Sequence, residues 1–241
     1  MRQRMIVTDL TRMQGTRICV GGYLEDGTSI RPVCGPSGPT EAWLQPTSDQ
    51  RVAPFSVVEL EVGAPVHSVP PHTEDRLVPS TGHRVVQIIP DPGRLSWLEW
   101  SESASIREIF GADVRNAPEP EQPWGRYIRS GEGKCSLGTI RVDRVRVVRY
   151  HRYPDRGNWD YRLRFDDASR EEFQLPIVDL AFRGQLDSLR DDGLSPERAA
   201  TVTLTALQRQ NVFLRVGLAR RWDRHPDRCY LQITGVYGFT T

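Results

Sequence analysis

SLGTIRVDRVRVVRYHRY, residues 136–153, is the stretch on which the fold turns. Its apolar alternation slips twice. Ile140 and Val142 share one parity, Val145 and Val147 the other, and Val148 returns to the first. Strand side chains alternate faces with a period of two, so such slips predict a bulge or sharp bend. A long, bent first strand is what a small five-stranded barrel needs to serve two sheets at once.

The sequence beyond it continues in barrel order. Trp159, Tyr161, Leu163 and Phe165 alternate with Asp160, Arg162 and Arg164, which predicts a strand with one apolar and one charged face. After the DDAS turn, Phe173, Leu175 and Ile177 form the partner strand's inward set. Residues 179–189 carry Leu180, Phe182, Leu186 and Leu189 at helical spacing and end at Gly193. Ser195 as N-cap and Pro196 at the first helical position then open a second helix. Two strands close the half, NVFLRVGLA and CYLQITGVYGF, joined by the Arg-rich loop RRWDRHPDR. Three strands, helix, two strands is the order of an OB-type barrel.

The N-terminal half is also strand-rich. MIVTDLTRM and TRICVGGYL read as strands, and EDGT at 25–28 supplies an Asp-Gly hairpin turn before SIRPV. PTEAWLQ is expected to form one helical turn, and SVVELEVG at 56–63 another strand. Leu95, Leu98, Ile106, Ile109 and Phe110 recur at helical spacing, predicting helix over about 92–113 with a break near Ser101. NAPEPEQPWG, rich in Pro and acids, reads as a linker. The expected architecture is therefore mainly β: two OB-like five-stranded barrels, 1–120 with a helical segment near 92–113, and 125–241 with helices near 179–209.

Composition bounds the partners. No stretch approaches the roughly 18 consecutive apolar residues of a membrane helix, and the N-terminus lacks the apolar core of a signal peptide, so a cytoplasmic location is expected. The four cysteines, Cys19, Cys34, Cys135 and Cys229, form no CxxC pair and are expected to be structural thiols. The net charge of +1 conceals polarity. Residues 91–121 hold seven acids against three Arg, residues 141–170 nine Arg against five Asp, and residues 215–228 five Arg against two Asp. Of the 32 basic residues every one is Arg except Lys134, and Arg forks onto phosphates and stacks on bases. GC-rich coding favours Arg over Lys as well.

Three places could carry chemistry. On the long strand, Arg144, Arg146, Arg149, Arg152 and Arg156 interleave with Tyr150, His151 and Tyr153, the pattern by which single-stranded nucleic acid is held. The opposing reading is a solvated face balanced by Asp143, Asp155 and Asp160. In the closing hairpin, Val212, Leu214, Val216 and Leu218 are expected inward, leaving Phe213 and Arg215 on the outer face. The loop beyond adds Arg220, Arg221, Trp222, Arg224, His225 and Arg228, a density of Arg around one Trp that suits a contact surface. Its alternative is a Trp222 that plugs the barrel mouth with solvating Arg around it. Third, His72, Glu74 and Asp75 could bind a metal or act as acid and base, although no further ligands can be identified, and turn capping explains them as well. Phosphate-loop, dinucleotide, nucleophile-elbow and HExxH motifs are absent, so no cofactor is expected and an enzyme is the lesser reading.

The phrases GGYLEDGTSIRPV, PPHTED, SLGTI, WDYRLRFDD with LPIVDLAFR, and above all VFLRVGLARRW with CYLQITGVYGF resemble the bacterial dual-OB domain family, over about residues 5–239. The resemblance implies two OB-like barrels and a nucleic-acid-related role in genome conflict or antiviral defence. It supplies no catalytic residues to carry over. Members often continue past the final strand, whereas this chain ends at Thr241.

The expected function is binding of single-stranded RNA or DNA with low sequence specificity, through Arg144, Arg146, Arg149, Tyr150, Arg152, Phe213, Arg215, Arg220, Arg221, Trp222, Arg224 and Arg228. A partner protein or module would dock on the first half. The alternatives are a metal-dependent enzyme acting on nucleic acid or nucleotides, and an interaction scaffold.

Overall fold

A computed structural model describes residues 2–13, 15–35, 38–66, 69–119, 124–152, 159–221 and 223–240, without the side chains of His151 and Trp159. The elements run β1 (Arg2–Arg12), β2 (Ile18–Leu24), β3 (Ser29–Val33), a 3-10 turn (Glu41–Leu44), β4 (Ser56–Glu61), β5 (Asp75–Leu77) and β6 (Arg84–Ile88). Then follow α1 (Asp91–Trp100), β7 (Glu102–Ser103), α2 (Ile106–Phe110), β8 (Arg115–Asn116), β9 (Arg126–Arg129) and β10 (Leu137–Arg152). The chain finishes with β11 (Trp159–Asp167), β12 (Glu172–Pro176), α3 (Leu180–Asp191), α4 (Pro196–Leu207), β13 (Gln210–Leu218) and β14 (Arg228–Thr240). The molecule is mainly β, and its strands form two sheets.

The first sheet has the order β5-β3-β2-β1-β4-β6. It curls, because the chain just past β4 bonds to β5: the Gly63 and Leu77 amides donate to the Leu77 and Ala64 carbonyls. A bulge in β1 between Val7 and Asp9 faces Gly21 and Gly22 of β2. A Cβ on Gly22 would collide with the Ile6 carbonyl, so this tight crossing requires glycine there.

The second sheet has the order β12-β11-β10-β13-β14-β9-β8, with β7 beside β10. β10 behaves as its alternation predicts. Residues 137–141 pair with β13 and residues 142–152 with β11, with register shifts at Val142/Arg144 and Val145/Val147. The bends let one strand join both sides of a half-barrel, and a parallel bridge from Ile177 to Ile233 draws the end of β12 towards β14. The helical segment divides where expected, with α1 ending at Ser101 and α2 capped by the Ser105 hydroxyl on the Glu108 amide. Asp179 and Ser195 cap α3 and α4 in the same manner.

Each sheet encloses its own apolar core. One is built on Met5, Val7, Val20, Ile30, Trp43 and Leu60. The other is built on Leu163, Phe165, Phe173, Leu214, Val216 and Ile233, and Ile106, Ile109 and Phe110 of α2 pack into it. A third cluster, Phe55, Ile89, Leu98 and Phe213, lies between the halves. All four cysteines are free, and burial raises each thiol's pKa, that of Cys34 to about 11. They act as small apolar side chains. Among the described residues, no helix is long and apolar enough to cross a membrane.

Candidate nucleic-acid interface

Cross-strand register sorts the long strand's arginines. Arg149 faces Arg162 and Val147 faces Arg164, while Val148, Leu163 and Leu175 line up on the buried side. The outer face of β10-β11-β12 thus carries Arg149, Arg162 and Arg164 together with Asp160, Asp166, Glu172 and Gln174. Acids neutralise part of this charge. Arg146 forks onto Asp166 at 2.7 and 2.6 Å and lies 3.3 Å from Glu172. Arg164 reaches Glu172 at 2.6 Å, and Arg162 reaches Asp160 at 3.0 Å. Arg144, Arg149 and Arg152 are exposed and form no ion pair among the described residues. A net basic strand with three unbalanced guanidiniums remains.

Beside this strand lies a cleft of about 590 Å³. Trp124, Arg149, Tyr150, Arg162, Gln174 and Glu197 are among its walls. The Arg164 guanidinium stacks on Trp124 at 5.1 Å, so an Arg-backed indole stands beside Arg149. Rings can take a base, and guanidiniums a phosphate. Tyr150 leans to the buried side, its ring 6.0 Å from Tyr161, and burial raises its hydroxyl pKa. Sequence reading missed Trp124, Gln174 and Glu197 as site residues. Trp124 lies in a Pro-rich stretch that reads as linker, and Glu197 on a helix whose docking depends on the fold.

The closing loop is anchored more than it is free. Arg220 donates to Asp75 at 2.5 Å. Arg228 donates to Glu119 at 2.5 Å and stacks over Tyr127 at 4.8 Å. Both therefore tie the loop to other parts of the chain. Arg221 and Arg224 are exposed, and Trp222 lies outside the described residues. The loop does not share the cleft's walls.

Phe213 and Arg215 overturn the expectation of an outer face. Both are fully buried, because the surface of β13 that turns away from the second core turns towards the first half. Arg215 donates to Asp9 through Nε and Nη2 at 3.0 and 2.9 Å, and to Tyr23 and Thr139 through Nη1. The Thr8 and Thr234 hydroxyls donate to the same Asp9 carboxylate. Tyr23 also lies under the guanidinium at 4.9 Å. Neither residue is exposed to solvent. They join the two halves.

The His72 cluster is dispersed in the same way. The three residues lie where a turn leads into β5, and each is bound to a different part of the chain. His72 Nε2 meets the Leu218 carbonyl at 3.2 Å, Glu74 accepts from the Ser136 amide and hydroxyl, and Asp75 sits between Arg31 and Arg220. Among the described residues no group of three His, Cys, Asp or Glu is placed to hold a metal. The expected metal candidates are thus claimed by structural contacts.

Burial, helped by Arg31, lowers the His72 pKa from 6.5 to about 4. The unfolded chain binds this proton at a higher pH than the folded one, so the contribution is complete above about pH 6.5 and shrinks as the pH falls towards 4. At pH 5 the deficit is about 2 kcal/mol. Urea titrations at pH 7.5 and 5 should show this loss in the parent protein and a smaller one in His72→Gln. Equal losses in both would exclude His72 as the source.

A curled half-barrel of sheet order β12-β11-β10-β13-β14, with its two helices between β12 and β13 along the chain, defines an OB-type protein. A family model described as the dual OB-containing domain matches residues 3–236, and the chain belongs to that family. No curated protein and no solved structure matches it.

Proposed function

We propose that the protein binds single-stranded nucleic acid, RNA or DNA, along β10 and over the outer face of β10-β11-β12, with little sequence preference. The observation that carries this is that Arg144, Arg149 and Arg152 along β10 are exposed and without ion pairs among the described residues, and that Arg149 lines a cleft also walled by Trp124 and Tyr150. At about 3.3 Å per residue the three arginines span some 26 Å, room for several nucleotides. OB-type domains generally hold single strands by such combinations of basic groove and aromatic platform. In this reading the second sheet and its core carry the strand, and the first sheet positions it or docks a partner protein. A role in bacterial defence or genome conflict is proposed from the family resemblance, and a cytoplasmic setting from the pattern of the sequence.

Alanine at Arg149 and Arg152 together tests the surface. Affinity for a labelled single strand should fall about tenfold or more, and the salt slope should flatten by about 0.7 per arginine lost. Arg221→Ala, in the closing loop, should have the smaller effect. Unchanged affinity in the double variant removes β10 from the interface.

A further inference from the structure

A second cavity, in the first half and apart from β10, has a different chemistry. It encloses about 440 Å³ between the end of β3, the 3-10 turn and the 80–83 turn, with Cys34, Pro39, Trp43, Pro46, Thr81 and His83 among its walls. Among the described residues no charged side chain lines it, unlike the cleft beside β10. We propose that this cavity binds a small, neutral, planar heteroaromatic of the nucleobase or nucleoside class.

Two side chains carry the inference. The Trp43 and His83 rings stack in parallel at 4.1 Å with 11° between their planes. His83 Nε2 lies 2.8 Å from the Trp43 carbonyl, so Nε2 bears the proton and Nδ1 is left as an acceptor. Burial lowers the His83 pKa, which keeps Nδ1 unprotonated at neutral pH. That Nδ1 and the Trp43 indole N–H are both buried and both lack a hydrogen-bond partner. Buried polar groups nearly always find one, and here a donor and an acceptor are orphaned on neighbouring rings of one cavity. A base edge offers the complementary acceptor and donor side by side. The apolar walls of Pro39, Pro46 and Cys34 suit a flat ring, and the volume falls in the range of small-molecule sites. A phosphate would find no counter-charge, which favours a base or nucleoside over a nucleotide. Both nitrogens are covered, so entry requires the exposed turn at residues 80–82 to shift. The inference does not depend on strand binding at β10.

Calorimetric titration of the full chain with adenosine, guanosine, cytidine and uridine, each beside its 5′-monophosphate and free ribose, tests this. At least one nucleoside should bind, ribose should not, and no monophosphate should bind more tightly than its nucleoside. Trp43→Phe keeps a ring but removes the N–H, and should weaken binding about tenfold, the equivalent of roughly 1.4 kcal/mol. Ser80→Trp, at an exposed position, should block entry without touching the core, which keeps the test open if Trp43→Phe fails to fold. No binding by any nucleoside, tighter binding of a monophosphate, or affinity that survives the folded variants would overturn the proposal.

Discussion

Arg215→Met is expected to destabilise the protein by about 3–5 kcal/mol, a large part of the total stability of an ordinary domain. The size follows from what is left behind. Asp9 is buried and receives two of its hydrogen bonds from Arg215. With the guanidinium gone, a carboxylate remains in a dry seam with only the Thr8 and Thr234 hydroxyls donating to it. The attraction between the charges is not itself the reason, since burying an ion pair brings little net gain over well-packed apolar residues. A double variant, Asp9→Leu with Arg215→Met, should therefore recover much of the loss. Chemical denaturation of the single and double variants separates the two accounts: equal destabilisation in both would mean that packing, not the orphaned charge, is responsible. Arg215 bonds to β1, β2, β10 and, through Asp9, β14, so the loss should appear as cooperative failure of both halves.

Asp75→Ala is expected to cost a similar amount, about 3–5 kcal/mol, by the opposite route. Burial would raise the Asp75 pKa, but Arg31 and Arg220 outweigh burial and hold it below the ordinary carboxylate value. Without Asp75, the buried Arg31 loses its 2.6 Å partner while its Nη2 already has none. A positive charge is then stranded in the core. Arg220 is half-exposed and can turn to water, so Arg220→Ala should cost far less, under about 1 kcal/mol. Thermal melting of the two variants decides the point. Comparable losses would show that the loop contact, and not the Arg31 pair, is the stabilising one.

These residues show where sequence reading stops. The bend in β10 is legible because a parity slip at Val145 and Val147 has one structural consequence, and the N-cap at Ser195 and the turn at 25–28 follow from local chemistry. Arg215 is different. On alternation it belongs to the face opposite Leu214 and Val216, and the sequence says correctly that this face avoids its own core. Whether that face meets water or another half depends on Asp9, 206 positions away. Phe213 fails for the same reason, since its partners Phe55, Ile89 and Leu98 come from elsewhere. His72, Glu74 and Asp75 look like a cluster only while the chain is read as a line. Conversely, Trp124 seemed linker, and only the sheet's curvature brings it to the wall beside Arg149. Local periodicity determines elements and faces, but long-range contact determines which charged face stays wet.

The most direct test of the account is fluorescence anisotropy of the full chain against labelled single- and double-stranded DNA and RNA across a salt series. The account predicts preference for a single strand, with affinity falling linearly in log salt at a slope set by the phosphates neutralised. No binding of any nucleic acid even at low salt would contradict it, and would assign the arginines of β10 to a protein partner.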